Sequence, residues 1–143
     1  CVSIATKPSS ISDNDPRPGL GVLVVEDHPQ LRHSLCEGLQ ACGWKVWAAK
    51  DGRVAVDLYS RVRDSIDIVL CDVQMPQLDG PQTLEALQAI NLDVKFCFMT
   101  GDASSQMLDR LLGRGALCIF IKPFRVKDIA SRLRAATRRR PRR

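Results

Sequence analysis

No run of apolar residues in this chain approaches the roughly 18 that a membrane-crossing helix needs; the longest, near residues 20–25 and 66–71, are strand-sized. A membrane span is thereby excluded. An apolar leader of the secretory kind is missing as well, and the sequence starts at Cys1 instead of Met, so it reads as a piece of a processed or longer protein with a cytoplasmic setting. Six cysteines are present, yet none stands in a CxxC spacing or gathers with histidine into a zinc-type ligand set. Cys71, Cys97 and Cys118 lie inside apolar strand-like runs and Cys36 and Cys42 on a helical pattern, which predicts buried structural thiols. Internal repeats are also lacking, which leaves one ordinary domain in 143 residues.

What is present is a chain with 45% hydrophobic and 26% charged residues, enough to bury a core without disulfides or metals. Its net charge of +5 is unevenly placed. Residues 132–143 hold seven arginines and no acid, so the other 131 residues carry 14 basic against 16 acidic side chains, a net of −2. The body is therefore no basic nucleic-acid platform, and the apparent hint belongs to the tail alone.

Residues 1–18, rich in Ser, Asp, Asn and Pro, read as a flexible leader. From residue 19 onward, β-rich runs alternate with helix-period segments. Strands are predicted at 20–25, 46–48, 66–71, 94–99 and 117–121, with helices at 29–41, 51–62, from 81 to about 90, at 103–112 and from 126 towards 138. Five strands and five helices in alternation argue for βα units around a parallel sheet. The third strand is nearly all apolar, as expected of a strand covered on both faces. Trp44 and Trp47 flank the second strand, where a spacing of three puts them on opposite faces.

Ligands of open parallel sheets bind outside the carboxyl ends of the strands. Here strand one ends in Glu26 and Asp27, strand three in Asp72, strand four in Thr100 and strand five in Lys122. Three crowded carboxylates repel unless a cation neutralises them. Oxygen donors without His or Cys suit a hard ion such as Mg²⁺. An aspartate beside such an ion, with a fixed ammonium and a hydroxyl, is a fitting acceptor for a phosphoryl group.

Glu26-Asp27 after VLVV, Asp72-Val73-Gln74-Met75-Pro76-Gln77-Leu78-Asp79-Gly80 after IVLC, Thr100-Gly101 after FCFM and Lys122-Pro123-Phe124 after IFI together resemble the receiver domain of two-component response regulators, over residues 19–137. The resemblance implies a flavodoxin-like three-layer α/β sandwich with strand order 2-1-3-4-5 and a basic tail at 138–143. It implies that Asp72 accepts a phosphoryl group from a histidine kinase or phosphotransfer protein. Asp27 and Asp72 then bind Mg²⁺ through carboxylates, Gln74 through its backbone carbonyl and Glu26 largely through water. Thr100 turns toward the phosphoryl oxygen, Gly101 leaves room beside it, and Lys122, fixed in place by a cis Lys122–Pro123 peptide, pairs with it. Such a domain is a signalling switch that assists its own phosphorylation and dephosphorylation, and it commonly forms a homodimer through helix four, strand five and helix five.

One position departs from the pattern. Three residues before the lysine the family usually carries Tyr or Phe, whereas this chain has Ile119, with Phe120 pointing to the opposite face. Thr100, Gly101 and Asp102 also read as the opening of helix four, and Asp102 lies near the expected water path. His28 and His33 read as surface residues at the start of an exposed helix. Rival readings are an aspartyl-phosphate phosphatase, disfavoured because strand one lacks a DxD, and a degenerate receiver that binds nucleic acid through its arginine tail. The tail itself reads first as a solvated end, then as a linker to an output domain, then as a phosphate-binding arm.

Overall fold

The computed structural model describes residues 19–138. The leader (1–18) and all of the basic tail beyond Arg138 lie outside the described residues. The elements alternate as expected: β1 (Gly21–Val25), α1 (Pro29–Ala41), β2 (Lys45–Ala49), α2 (Gly52–Val62), β3 (Ile68–Asp72), α3 (Gly80–Ile90), β4 (Phe96–Thr100), α4 (Ser105–Gly113), β5 (Cys118–Ile121) and α5 (Val126–Ala136). All strand pairs are parallel, and their order is β2-β1-β3-β4-β5.

Side chains alternate strictly across the sheet, because successive residues of a strand point to opposite faces. Val22, Val24, Ile68, Leu70, Cys97 and Met99 pack with Leu35 and Leu39 of α1 and Ile129 and Leu133 of α5. Leu23, Val25, Val69, Cys71, Phe96 and Phe98 pack on the other face with Ala55 and Tyr59 of α2, Leu84 and Leu87 of α3 and Leu111 of α4. These three strands are apolar at nearly every position because helices cover both sides of them. Trp44 joins the first face and Trp47 packs on the second, as their spacing predicted.

Several boundaries shift by a residue or two from expectation, and two of the shifts have a clear local cause. Residues 63–65 form a 3₁₀ turn that delays β3 to Ile68, although Ile66 is already buried. Helix α4 begins at Ser105 with Ser104 as its N-cap, whose hydroxyl accepts from the Met107 N–H. Thr100–Asp102 thus belong to a strand end and an exposed turn, not to the helix start.

The last turn of α5 reaches the amino-terminal end of the sheet. Lys95, which precedes β4, donates to the Thr137 carbonyl, and Arg134 donates to the Cys42 carbonyl at the end of α1. Arg138 therefore leaves the domain from the edge opposite the strand-end acids. Among the described residues, no helix is long and apolar enough to cross a membrane.

Candidate functional site

Sheet hydrogen bonds continue past the ends of the strands and hold the residues there in place. The Glu26 N–H donates to the Ala49 carbonyl (3.1 Å), the Val73 N–H to Met99 (3.0 Å) and the Lys122 N–H to Thr100 (2.8 Å). Glu26, Asp72, Thr100 and Lys122 thereby inherit the parallel register of β1, β3, β4 and β5. Glu26, Asp27 and Asp72 each offer a carboxylate oxygen within 4.8 Å of the others. Lys122 reaches into this group, its Nζ 3.4 Å from Asp72 Oδ1 and 3.5 Å from Glu26 Oε1. The Lys122–Pro123 peptide is cis, as expected.

The acids differ in environment. Glu26 is 1% exposed and Asp72 6%, whereas Asp27 is half-buried. Burial, then the nearby Asp72 charge, pushes the Glu26 carboxyl from 4.5 up to about 7; the His28 N–H and the Lys122 ammonium pull the other way. The His28 N–H donates to Glu26 Oε2 at 3.1 Å. A carboxylate held ionised only against its own desolvation and a neighbouring acid is one that a cation would relieve. Three carboxylates with no His or Cys among them form the donor set that Mg²⁺ takes, and the residues fit that ion.

Thr100 is 2% exposed, with its hydroxyl beside the loop after β4. That oxygen accepts from the Asp102 N–H at 3.0 Å, and the Asp102 carboxylate accepts from the Ser104 N–H at 2.9 Å. The latter bond holds the exposed Asp102 carboxyl below its usual range. A Cβ built on Gly101 meets nothing within 4 Å, so the space beside Thr100 is open. Gln74 is exposed in the loop after Asp72. Ile119 is half-buried against the α2, α3 and α4 face and Phe120 packs on the other, as alternation required.

His28 and His33 are exposed. His28 caps α1 through Nδ1, and His33 pairs with Glu37 one turn away. Asp79 caps α3 in a capping box with Gln82.

The part played by Arg32, and the close approach of Gly80 to Asp72, were not read from the sequence. Arg32 on the first turn of α1 donates to the Glu26 carbonyl at 2.9 Å and to the Asp27 carbonyl at 3.4 Å, tying the acid pair to the helix from beneath. The available signal was an arginine one turn inside the helix after the acids, which by itself reads as a solvated side chain. Gly80 closes the loop after Asp72 through a bond from its N–H to the Val73 carbonyl at 2.8 Å. A Cβ there would stand 2.7 Å from the Asp72 carbonyl oxygen and 2.8 Å from Val73 Cα, so this close approach needs glycine.

Comparison with known proteins shows the family of the chain. Residues 22–134 match the response regulator receiver domain family. The transcriptional regulatory protein PrrA of Mycobacterium tuberculosis is 37% identical over 121 residues, which is 83% of this chain and 50% of PrrA. The sensor kinase CckA of Brucella abortus is 34% identical over 110 residues, 77% of this chain but 12% of CckA. The chain thus spans half or less of these two relatives. Among solved structures, the CheX–CheY–BeF₃–Mg²⁺ complex of Borrelia burgdorferi superposes with a TM-score of 0.76 at 25% identity, covering 81% of this chain and 87% of that one. With the fold and the strand order in agreement with these matches, the chain belongs to the receiver domains of two-component response regulators.

Proposed function

We propose that the chain is a phosphorylatable receiver in which Asp72 takes a phosphoryl group from the phosphohistidine of a sensor histidine kinase or a phosphotransfer protein, with Mg²⁺, and that the resulting change of state controls an output. The observation that carries this reading is the placing of Asp72 Oδ1 3.4 Å from Lys122 Nζ, inside three carboxylates that converge within 4.8 Å. The Asp72 oxygen attacks phosphorus, the phosphorus–nitrogen bond breaks, and the donor imidazole leaves. When bound, Mg²⁺ neutralises the clustered acids and screens the charge on the transferring oxygens.

The chain's own residues supply the rest. Asp27 and Asp72 hold the ion through carboxylates, Gln74 through its backbone carbonyl, and Glu26 through water. Lys122 pairs with a phosphoryl oxygen. Thr100 gives up the Asp102 N–H and turns its hydroxyl toward another, into the space that Gly101 leaves open. Exchanging one neutral hydrogen bond for another to an anion is favourable, since charge-assisted bonds are the stronger. Ile119, packed on the α2, α3 and α4 face, transmits the change by repacking and not by the swing of an aromatic ring. The likeness to a CheY solved with BeF₃ and Mg²⁺ supports the same assignment.

The receiver unit spans 19–137, between a leader and a basic tail, and works in the cytoplasm as a signalling element that assists its own phosphorylation and dephosphorylation. A homodimer through α4, β5 and α5 is its expected assembly. Nucleic acid enters only through an attached output domain or the arginine tail. The test is incubation with acetyl phosphate and Mg²⁺ followed by intact mass. The wild type gains one phosphoryl group and Asp72→Asn gains none; a wild type that stays unmodified by acetyl phosphate and by a cognate kinase overturns the reading.

A further inference from the structure

Cys97 and Cys118 lie outside the acid rim, and its chemistry makes no use of them. Cys97 is the second residue of β4 and Cys118 the first of β5, and the parallel register sets them directly opposite each other. Both belong to the face that packs against α1 and α5, and their sulfurs are 3.0 Å apart. A disulfide requires sulfurs about 2.05 Å apart on Cα atoms about 4.4–6.8 Å apart. Neighbouring strands stand about 4.8 Å apart, within that range, so closure asks for side-chain motion and no shift of strands.

The pair is also unequal in access. Cys97 is fully buried within a central strand, while Cys118 is half-buried on the sheet edge. Cys118 is the less buried member of the pair, and Cys97 lies directly beside it. The remaining described thiols lack this arrangement: Cys36 and Cys71 are buried and held protonated by burial, as structural thiols are, and Cys42 follows the end of α1.

We propose that Cys97 and Cys118 are an oxidation site at which a small peroxide converts the two thiols into an intramolecular disulfide joining β4 to β5. The Cys118 thiolate attacks one oxygen of hydrogen peroxide; the O–O bond breaks, the departing hydroxide takes a proton and leaves as water, and Cys118 becomes a sulfenic acid. The Cys97 sulfur then attacks the Cys118 sulfur, the S–O bond breaks, and a second water leaves with the Cys97 proton. The two sulfurs together give up two electrons and two hydrogens, and the peroxide is reduced to two waters. The new bond links the strand that ends in Thr100 to the strand that leads into Lys122. It fastens the sheet edge without touching the acid rim.

The experiment is peroxide treatment of the reduced chain, followed by digestion and peptide mapping without reductant. The expected product is one peptide pair joined through Cys97 and Cys118, two hydrogens lighter than its parts and separated again by a thiol reductant. Cys118→Ser and, independently, Cys97→Ser remove it. Absence of the joined pair at peroxide levels that already oxidise methionine overturns the proposal. So does a linkage through Cys36 or Cys42, or Cys118 driven on to sulfinic acid beside an unchanged Cys97. No phosphoryl donor enters the assay, so its result is independent of the assignment of Asp72.

Discussion

Every residue of β1, β3 and β4 is buried, whereas in β5 only Phe120 is, and Ile121 is 40% exposed. The acids and Thr100 sit at the ends of the three covered strands, and Lys122 at the end of the open one. Under the proposed function, the difference separates two tasks that one sheet has to perform. Chemistry at Asp72 needs oxygen atoms held to a fraction of an ångström, which strands packed on both faces supply. A change of state needs an element whose local stability is low enough to shift, and an edge strand with one neighbour is such an element.

The widest gap between the two regions should appear in side-chain truncation. Phe98→Ala empties the centre of the α3 and α4 face and should cost about 3–5 kcal/mol. Ile121→Ala, at the half-open edge, should stay within about 0.5 kcal/mol. Urea unfolding of both variants measures this directly, and comparable losses would break the distinction between core and edge.

The acid rim carries the next largest effect. The Glu26 carboxyl has a higher pKa in the folded chain (about 7) than its ordinary 4.5, so the folded state binds its proton more tightly. The stability this gives is fully present below pH 4.5 and is lost as pH rises through 7, by up to about 3 kcal/mol. In chelator, denaturant midpoints should therefore fall between pH 5 and pH 8. Mg²⁺ should restore much of the loss at pH 8, and Glu26→Gln should flatten the profile. A profile in chelator that rises with pH would contradict the buried-acid account.

Gly80→Ala probes how closely α3 is drawn against Asp72. Its Cβ would meet the Asp72 carbonyl, Val73 Cα and Phe98 Cε1 at 2.7, 2.8 and 3.0 Å, and two of these are backbone atoms. A loss of about 1–3 kcal/mol is expected, together with slower phosphorylation because the acceptor's own backbone must shift. A variant as stable as the wild type would show that the covered strands yield more readily than their burial implies.

Much of this arrangement is legible in the sequence. The apolar runs of the central strands are long because both faces are covered, and Asp72 and Glu26 stand out as the charges that interrupt them. Residues 100–105 were less legible. Thr100, Asp102 and Ser104 are all cap-forming types, and which of them starts α4 depends on the path of the loop: Asp102 bonds the Ser104 N–H, and Ser104 then caps the helix. Arg32 was invisible as a tie because its targets are carbonyls, which every residue carries. The apposition of Cys97 and Cys118 comes from strand register, which no local pattern encodes.

Thr100 is where the two regions meet, and it carries the smallest effect. It closes a buried strand, yet its hydroxyl faces the exposed turn and accepts the Asp102 N–H. Thr100→Val keeps the shape and removes that acceptor, which should cost about 1 kcal/mol in the unphosphorylated chain. Thr100→Ser keeps the oxygen and should recover most of that loss. If Thr100 is the hinge between fixed chemistry and movable edge, Thr100→Val should still gain a phosphoryl mass from acetyl phosphate while the amides of β5 exchange at the same rate before and after. In the wild type and in Thr100→Ser, the exchange should change on phosphorylation. A wild-type-like exchange response in Thr100→Val would place the coupling elsewhere, most directly through Lys122, whose ammonium already touches Asp72 from the end of β5.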